Sequence, residues 1–171
     1  LLRQYSAGLV GTTTCLGSEV CQALMKGEYD RAQYIAGMYA EIFGEGNYFV
    51  ELQDHNLEPQ HRIKDGLLQI AKELKLPLIA TNDAHYLCKT DAKPHDVLLC
   101  IQTGKLVEDT NRLKFGTEEF YIKSPDEMAS IFADTPEALE NSLRIAEMCS
   151  VELGKQRANM PDPDLPEGET P

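Results

Sequence analysis

The feature that most constrains this chain is a change of hydrophobic period, repeated along its first hundred residues. Short apolar runs of strand type alternate with longer stretches whose apolar residues recur every three to four positions. Ala7 to Thr14 (AGLVGTTT), Asn47 to Gln53 (NYFVELQ) and Pro77 to Ala80 (PLIA) are strand-like. Ser18 caps a helix predicted to run to about Lys26, and Gly27 ends it. A second helix fits Tyr29 to Phe43, closed by Gly44 and Gly46. Asn56 then caps a long helix to about Lys75, with Ile63, Leu67, Ile70, Ala71 and Leu74 on one stripe. Parallel neighbours need a crossover of a dozen or more residues, usually a helix, so this order predicts an α/β domain with mostly parallel strands. The unbroken apolar run PLIA suits a strand covered on both faces. Only three or four strands are visible, fewer than a closed barrel needs, so a truncated fold with an unpaired sheet edge is expected.

Downstream the character changes. Ala92 to Gly104 is helical, Lys105 to Thr117 is polar and loop-like, and Glu119 to Ile122 suits a short strand. Ser124-Pro125-Asp126-Glu127 is a capping box opening a helix to about Phe132. Thr135-Pro136 opens another, with Leu139, Leu143 and Ala146 on one face. Residues 1–158 are read as one domain, and residues 159–171, rich in proline, as a linker. The start at Leu1 carries neither an initiator Met nor a targeting pattern, as expected of an excised segment or of a chain from which a tag was removed. No apolar run reaches the roughly 18 residues that span a bilayer, so no membrane contact is expected.

Charge narrows the function classes. Sixteen Lys and Arg against 28 Asp and Glu give a net charge of −12. Such a surface repels phosphates over a Debye length of about 8 Å, so this segment is not expected to be a main duplex-gripping surface, and the plainer reading is that most of the charge solvates helix faces. Five cysteines at irregular spacing include no C-x-x-C pair, which argues against a zinc ribbon and for reduced thiols in the cytoplasm.

The chemistry-bearing residues lie where α/β folds gather ligands, beyond the carboxyl ends of strands. PLIA passes into Thr81-Asn82-Asp83-Ala84-His85-Tyr86, and in an extended chain Asp83 and His85 point to one side, about 6.6 Å of rise apart. Cys15 follows the first strand, just ahead of a helix N-terminus that favours a thiolate. Thiolate, carboxylate and imidazole together suit zinc or manganese better than calcium or magnesium. Three ligands leave the shell short of the four of a structural zinc site. Taken singly, each has a plainer reading: Cys15 as a small buried hydrophobe, and Asp83 with His85 as a turn or a hydrogen-bonded pair.

Other residues are placed around that trio. Glu51 and Gln53 share a strand face and His55 lies just past the strand end, so Glu51 and His55 are expected to support the site. Direct ligation by His55 is the alternative. His61 is expected on an exposed helix face, and His95 with Asp96 at a helix start as caps. Tyr86, Cys21, Cys88, Cys100 and Cys149 are read as packing, and no residue is identified as catalytic.

Six stretches, in order, carry a resemblance. GLVGTTTCLGSEV (Gly8 to Val20), YFVELQDH (Tyr48 to His55), LPLIATNDAHYL (Leu76 to Leu87), HDVLLCIQTGK (His95 to Lys105), FYIKSPDEM (Phe120 to Met128) and LPEGETP (Leu165 to Pro171) resemble the bacterial DNA polymerase III α subunit, in the later part of its PHP domain. The resemblance implies a distorted β/α barrel holding a cluster of divalent metals, zinc or manganese with magnesium as the alternative. Cys15 matches the family's cysteine ligand, and Asp83 and His85 its final Asp-x-His pair. The remaining ligands belong to an upstream segment with an H-x-H motif that this chain lacks. The implied activity is 3′–5′ exonuclease proofreading by metal-assisted phosphodiester hydrolysis, within the catalytic subunit of a cytoplasmic replicative polymerase. Nucleotidyl transfer would depend on a palm domain beyond Pro171. The implied partners are the rest of the α subunit, replisome subunits such as a proofreading exonuclease, and DNA through other domains. The chain alone is expected to be inactive. Two other readings stand beside this: a self-contained PHP-family phosphoesterase of the histidinol-phosphatase kind, which HDVLLCIQTGK and LPEGETP oppose, and a non-catalytic scaffold that docks a proofreading subunit.

Overall fold

The alternating periods resolve into three strands separated by helices in a computed structural model, which describes residues 1–152 and residue 154. The strands are β1 (Gly11–Thr12), β2 (Tyr48–Gln53) and β3 (Leu78–Thr81). They form one sheet in the order β1-β2-β3, all parallel, with Gly11 opposite Tyr48 and Val50 opposite Leu78. Helices α2 (Glu19–Met25) and α3 (Tyr29–Phe43) lie between β1 and β2, and α4 (Glu58–Leu74) lies between β2 and β3. A four-residue helix, α1 (Leu2–Tyr5), precedes the sheet. After it come α5 (Ala92–Thr103), α6 (Pro125–Ile131) and α7 (Pro136–Met148). No described helix is long and apolar enough to cross a membrane.

The middle strand shows why the sequence folds this way. Tyr48, Phe49, Val50 and Leu52 are all at most 3% exposed, because β2 is flanked by strands on both edges and covered on both faces. Onto it pack Val20 and Ala23 from α2, Ile35 and Ala36 from α3, and Ile63, Leu67 and Ile70 from α4. The α4 stripe read from the sequence is the face that is buried, apart from the half-buried Leu74. Gly66 lets α2 and α4 approach closely, since a Cβ there would lie 2.9 Å from a Leu24 methyl. Ser18 caps α2 by accepting from the Cys21 amide, and Ser124 with Glu127 forms the expected box on α6.

Several expectations are corrected. The first strand shrinks to two residues, because Ala7 and Gly8 turn the chain, with Gly8 at φ +78°. Asn56 does not cap α4: it sits left-handed at φ +56°, and the helix starts at Glu58 with Pro59 in its first turn. Glu119 to Ile122 is no strand but one isolated parallel bridge, Tyr86 to Tyr121. On α7 the inward face is Ala138, Leu139, Asn141 and Ile145, so Leu139 packs as expected while Leu143 is 70% exposed and Ala146 is exposed. Asn141 turns in because its amide donates to the Leu78 carbonyl at 2.8 Å, so α7 covers the outer side of β3. By strand order β1 and β3 are both edge strands among the described residues, and Asn141 occupies one backbone acceptor of β3. Cys21 and Cys100 are buried packing residues, but Cys88 and Cys149 are exposed. The linker assigned to residues 159–171, with its LPEGETP stretch, lies outside the described residues.

Candidate metal site

Parallel strands deliver their carboxyl ends to one side, and the candidate residues follow from that. Glu51 stands on β2, 9% exposed, and no cation pairs with it among the described residues. Its carboxylate accepts from Thr12 Oγ1 and Thr81 Oγ1, both at 2.5 Å, and from Gln53 Nε2 at 2.8 Å. The two threonines come from the strands on either side, so one buried anion ties the three strands together through hydroxyl donors. Thr13 completes the arrangement by accepting from the Glu51 amide at 2.8 Å. A buried carboxylate needs such donors, since water is no longer there to solvate it.

His55, 1% exposed, lies just past the end of β2. Its backbone N–H donates to Gln60 Oε1 at 2.8 Å, which fixes the orientation of the Gln60 amide. Gln60 Nε2 then faces His55 Nδ1 at 2.9 Å, so Nδ1 is the acceptor and the neutral ring carries its proton on Nε2. Nε2 is buried with no hydrogen-bond partner among the described residues. The ring stacks on Phe120 with centroids 4.2 Å apart. Burial, and next the nearby Lys123 ammonium, push the His55 pKa below its ordinary value, holding it neutral.

Asp83 and His85 lie beyond β3 and are partly exposed. Their side chains meet, with His85 Nε2 3.3 Å from Asp83 Oδ1. The His85 amide donates to the Phe120 carbonyl at 2.7 Å, and its ring meets Phe115 edge-on at 4.8 Å. His95 joins this aromatic group, 5.6 Å from His85 between centroids. That placement corrects its expected capping role. Asp96 does not cap either: it takes a two-pronged bond from Arg112 at 2.6 and 2.7 Å.

Cys15 is an exposed free thiol beyond β1, not a buried hydrophobe. It borders a pocket shared with Glu51, Gln53, His61 and Lys64. β1 and β3 flank β2, so Cys15 and the Asp83–His85 pair occupy the same end of the sheet on opposite sides of the middle strand. Among the described residues no three His, Cys, Asp or Glu side chains come together in a way that could hold a metal ion. The donors fit a divalent metal in kind, as a paired carboxylate and imidazole with a thiol, and fall short in number.

Sequence reasoning did not single out Lys123, Thr12, Thr81 or Gln60. Lys123 is the most informative omission: its side chain is 1% exposed, next to the residue that precedes Asp83. A lysine inside the matched stretch FYIKSPDEM was the available signal.

Parallel strands joined by helices, with candidate ligands at their carboxyl ends, form part of a PHP-type barrel, and a family model for the PHP domain matches residues 1–55. Three relatives extend the match along the chain. The DNA polymerase III α subunit of Treponema pallidum is 41% identical over 166 residues, covering 97% of this chain and 14% of that protein. That of Deinococcus radiodurans is 43% identical over 174 residues, covering 98% of this chain and 13% of the relative. That of Borreliella burgdorferi is 38% identical over 170 residues, covering 99% and 14%. Over nearly its whole length the chain is similar to DNA polymerase III α subunits, and it spans about 14% of the length of these relatives.

Proposed function

We propose that this chain supplies one wall of a divalent-metal site within a replicative DNA polymerase subunit. Cys15, Asp83 and His85 would be ligands, completed by donors outside this chain. The observation that carries the reading is the Asp83–His85 contact of 3.3 Å at the carboxyl end of a parallel strand, with a free thiol beyond β1 at the same end. Zinc or manganese matches this donor chemistry, with magnesium as the alternative. When bound, such ions supply Lewis acidity and an activated water for phosphodiester hydrolysis, which suits 3′–5′ exonuclease proofreading.

The chain's own residues have narrower roles in this reading. Asp83 orients the His85 imidazole, Cys15 contributes a thiolate, and Glu51 fixes the spacing of the strands that present them. His55 is a neutral wall residue beneath Phe120. Polymerisation, DNA contact and docking of a proofreading subunit would belong to the rest of the subunit, in keeping with the −12 charge here. Cytoplasmic location follows from that role.

The test is elemental analysis of the full-length subunit, purified natively, beside Cys15→Ser and Asp83→Asn variants. Bound zinc or manganese that falls in both variants, together with loss of mismatch removal from primer ends, is the expected result. Metal and proofreading that persist unchanged in Asp83→Asn would sink the reading. Metal that falls while proofreading persists would leave a structural tie in its place.

A further inference from the structure

The segment Glu119 to Lys123 crosses the turn that carries Asp83 and His85, and the two are laced together. His85 and Tyr86 amides both donate to the Phe120 carbonyl, and the Ile122 amide donates back to the Tyr86 carbonyl at 3.2 Å. The Tyr86 hydroxyl accepts from the Phe120 amide at 3.3 Å. At the centre is one side-chain junction. Asn82 donates through Nδ2 to the Tyr121 carbonyl at 2.5 Å and accepts at Oδ1 from Lys123 Nζ at 3.3 Å.

An ammonium can only donate and a carbonyl can only accept, so the Asn82 amide is locked in one orientation. The Lys123 ammonium is otherwise held by the Glu119 carbonyl, lies 3.7 Å from the Glu119 carboxylate, and sits 4.5 Å from the Tyr121 ring centroid. Two hydrogen bonds, a nearby carboxylate and a ring face thus hold the ammonium within the protein, at a side chain 1% exposed. A lysine is seldom buried this far, and removing it would leave the Asn82 and Glu119 oxygens without a donor.

We infer that Lys123 is a positioning residue: through Asn82 it sets the backbone from which Asp83 and His85 project toward the metal. The part concerning metal rests on the proposed function, whereas the mechanical part does not. A lysine kept only for fold stability would act on the whole domain evenly. A latch acts on the Asp-x-His turn first, and a second cation of similar reach restores it.

The experiment uses this 171-residue chain and histidine-resolved NMR. The His85 ring protons lie beside Phe115 and Phe120, so their shifts report the geometry of that turn. His61, paired with Asp54 from an exposed face of α4, is the internal control. In Lys123→Met the His85 resonances move toward free-imidazole positions, and the His85 amide exchanges roughly tenfold faster or more. His61 and the α4 amides stay in place. Lys123→Arg restores most of the native His85 signature. Asn82→Ala, a milder change, gives the same displacement should Lys123→Met not fold. Native His85 shifts in folded Lys123→Met, or in Asn82→Ala, overturn the latch. So does a loss of protection spread evenly over α4 and the turn. Metal analysis of the full subunit is read separately: a metal-free native subunit with the latch signature intact removes the ligand role of Asp83 and His85 alone.

Discussion

The two ends of the candidate site are held by different physics. Around β2, position is fixed by packing: Phe49, Val50 and Ile70 are fully buried, and Glu51 is gripped from both neighbouring strands. Beyond β3, position is fixed by polar stitching, as in the Asn82–Lys123 junction and the Arg112–Asp96 pair. Several apolar residues there stand in solvent, with Leu87 at 70% and Ile101 at 72% exposed, around a small buried group of Leu99, Cys100 and Phe120. A packed core resists change everywhere at once, whereas a stitched segment comes loose at one seam. The first suits a scaffold. The second suits a wall that awaits contacts from elsewhere in a longer protein.

The contrast breaks most visibly at Phe49. Phe49→Ala should cost about 3–5 kcal/mol, through lost burial and the cavity left in the middle strand. Urea unfolding followed by circular dichroism measures it, and a loss below about 1 kcal/mol would mean the sheet is not the load path.

A smaller effect sharpens the boundary between the regions, where His55 touches both. The unfolded imidazole takes up a proton near its ordinary value of 6.5, while burial and then Lys123 hold the folded ring neutral to lower pH. Asp83 and Asp54 oppose that shift only in part. Acid therefore favours the unfolded chain: stability present above pH 6.5 declines as pH falls toward the folded value. Thermal melts from pH 7.5 downward should show this decline, and His55→Gln should flatten it. A wild-type curve as flat as the variant's would mean the ring is not held neutral.

The smallest effect is expected at Arg112. Arg112→Met removes the two-pronged bond to Asp96 at the start of the 105–117 loop's contact with α5. Proteolysis should then cut within residues 105–117 faster, while the melting temperature of the domain stays put. A matching fall in melting temperature would erase the distinction between the regions.

How much was legible in the sequence follows the same division. The packed region was readable because burial imposes a period. The α4 stripe, the β2 run and the Ser18 cap all appear as spacing, and α2 to α6 are placed to within a few residues, while the short α1 was not anticipated. β1 was overestimated because AGLVGTTT has strand composition, whereas only Gly11 and Thr12 find a partner. The stitched region resisted reading because its contacts are between single side chains far apart in sequence. Nothing in the spacing of Asn82 and Lys123, or of Asp96 and Arg112, announces that they meet. The α7 face was misjudged for a related reason: Asn141 is polar, and its inward turn is set by the unpaired Leu78 carbonyl rather than by hydropathy. At the candidate site, Asp83 meets His85 in a turn beyond a strand that ends at Thr81, which the plainer reading of a turn or hydrogen-bonded pair describes better than strand alternation does. The tautomer of His55 could not be anticipated, since it depends on Gln60.

The cover that α7 places over β3 also decides what that strand can pair with. The side-chain amide of Asn141 occupies the Leu78 carbonyl, so among the described residues a strand arriving at that edge meets a helix in place of a free backbone acceptor.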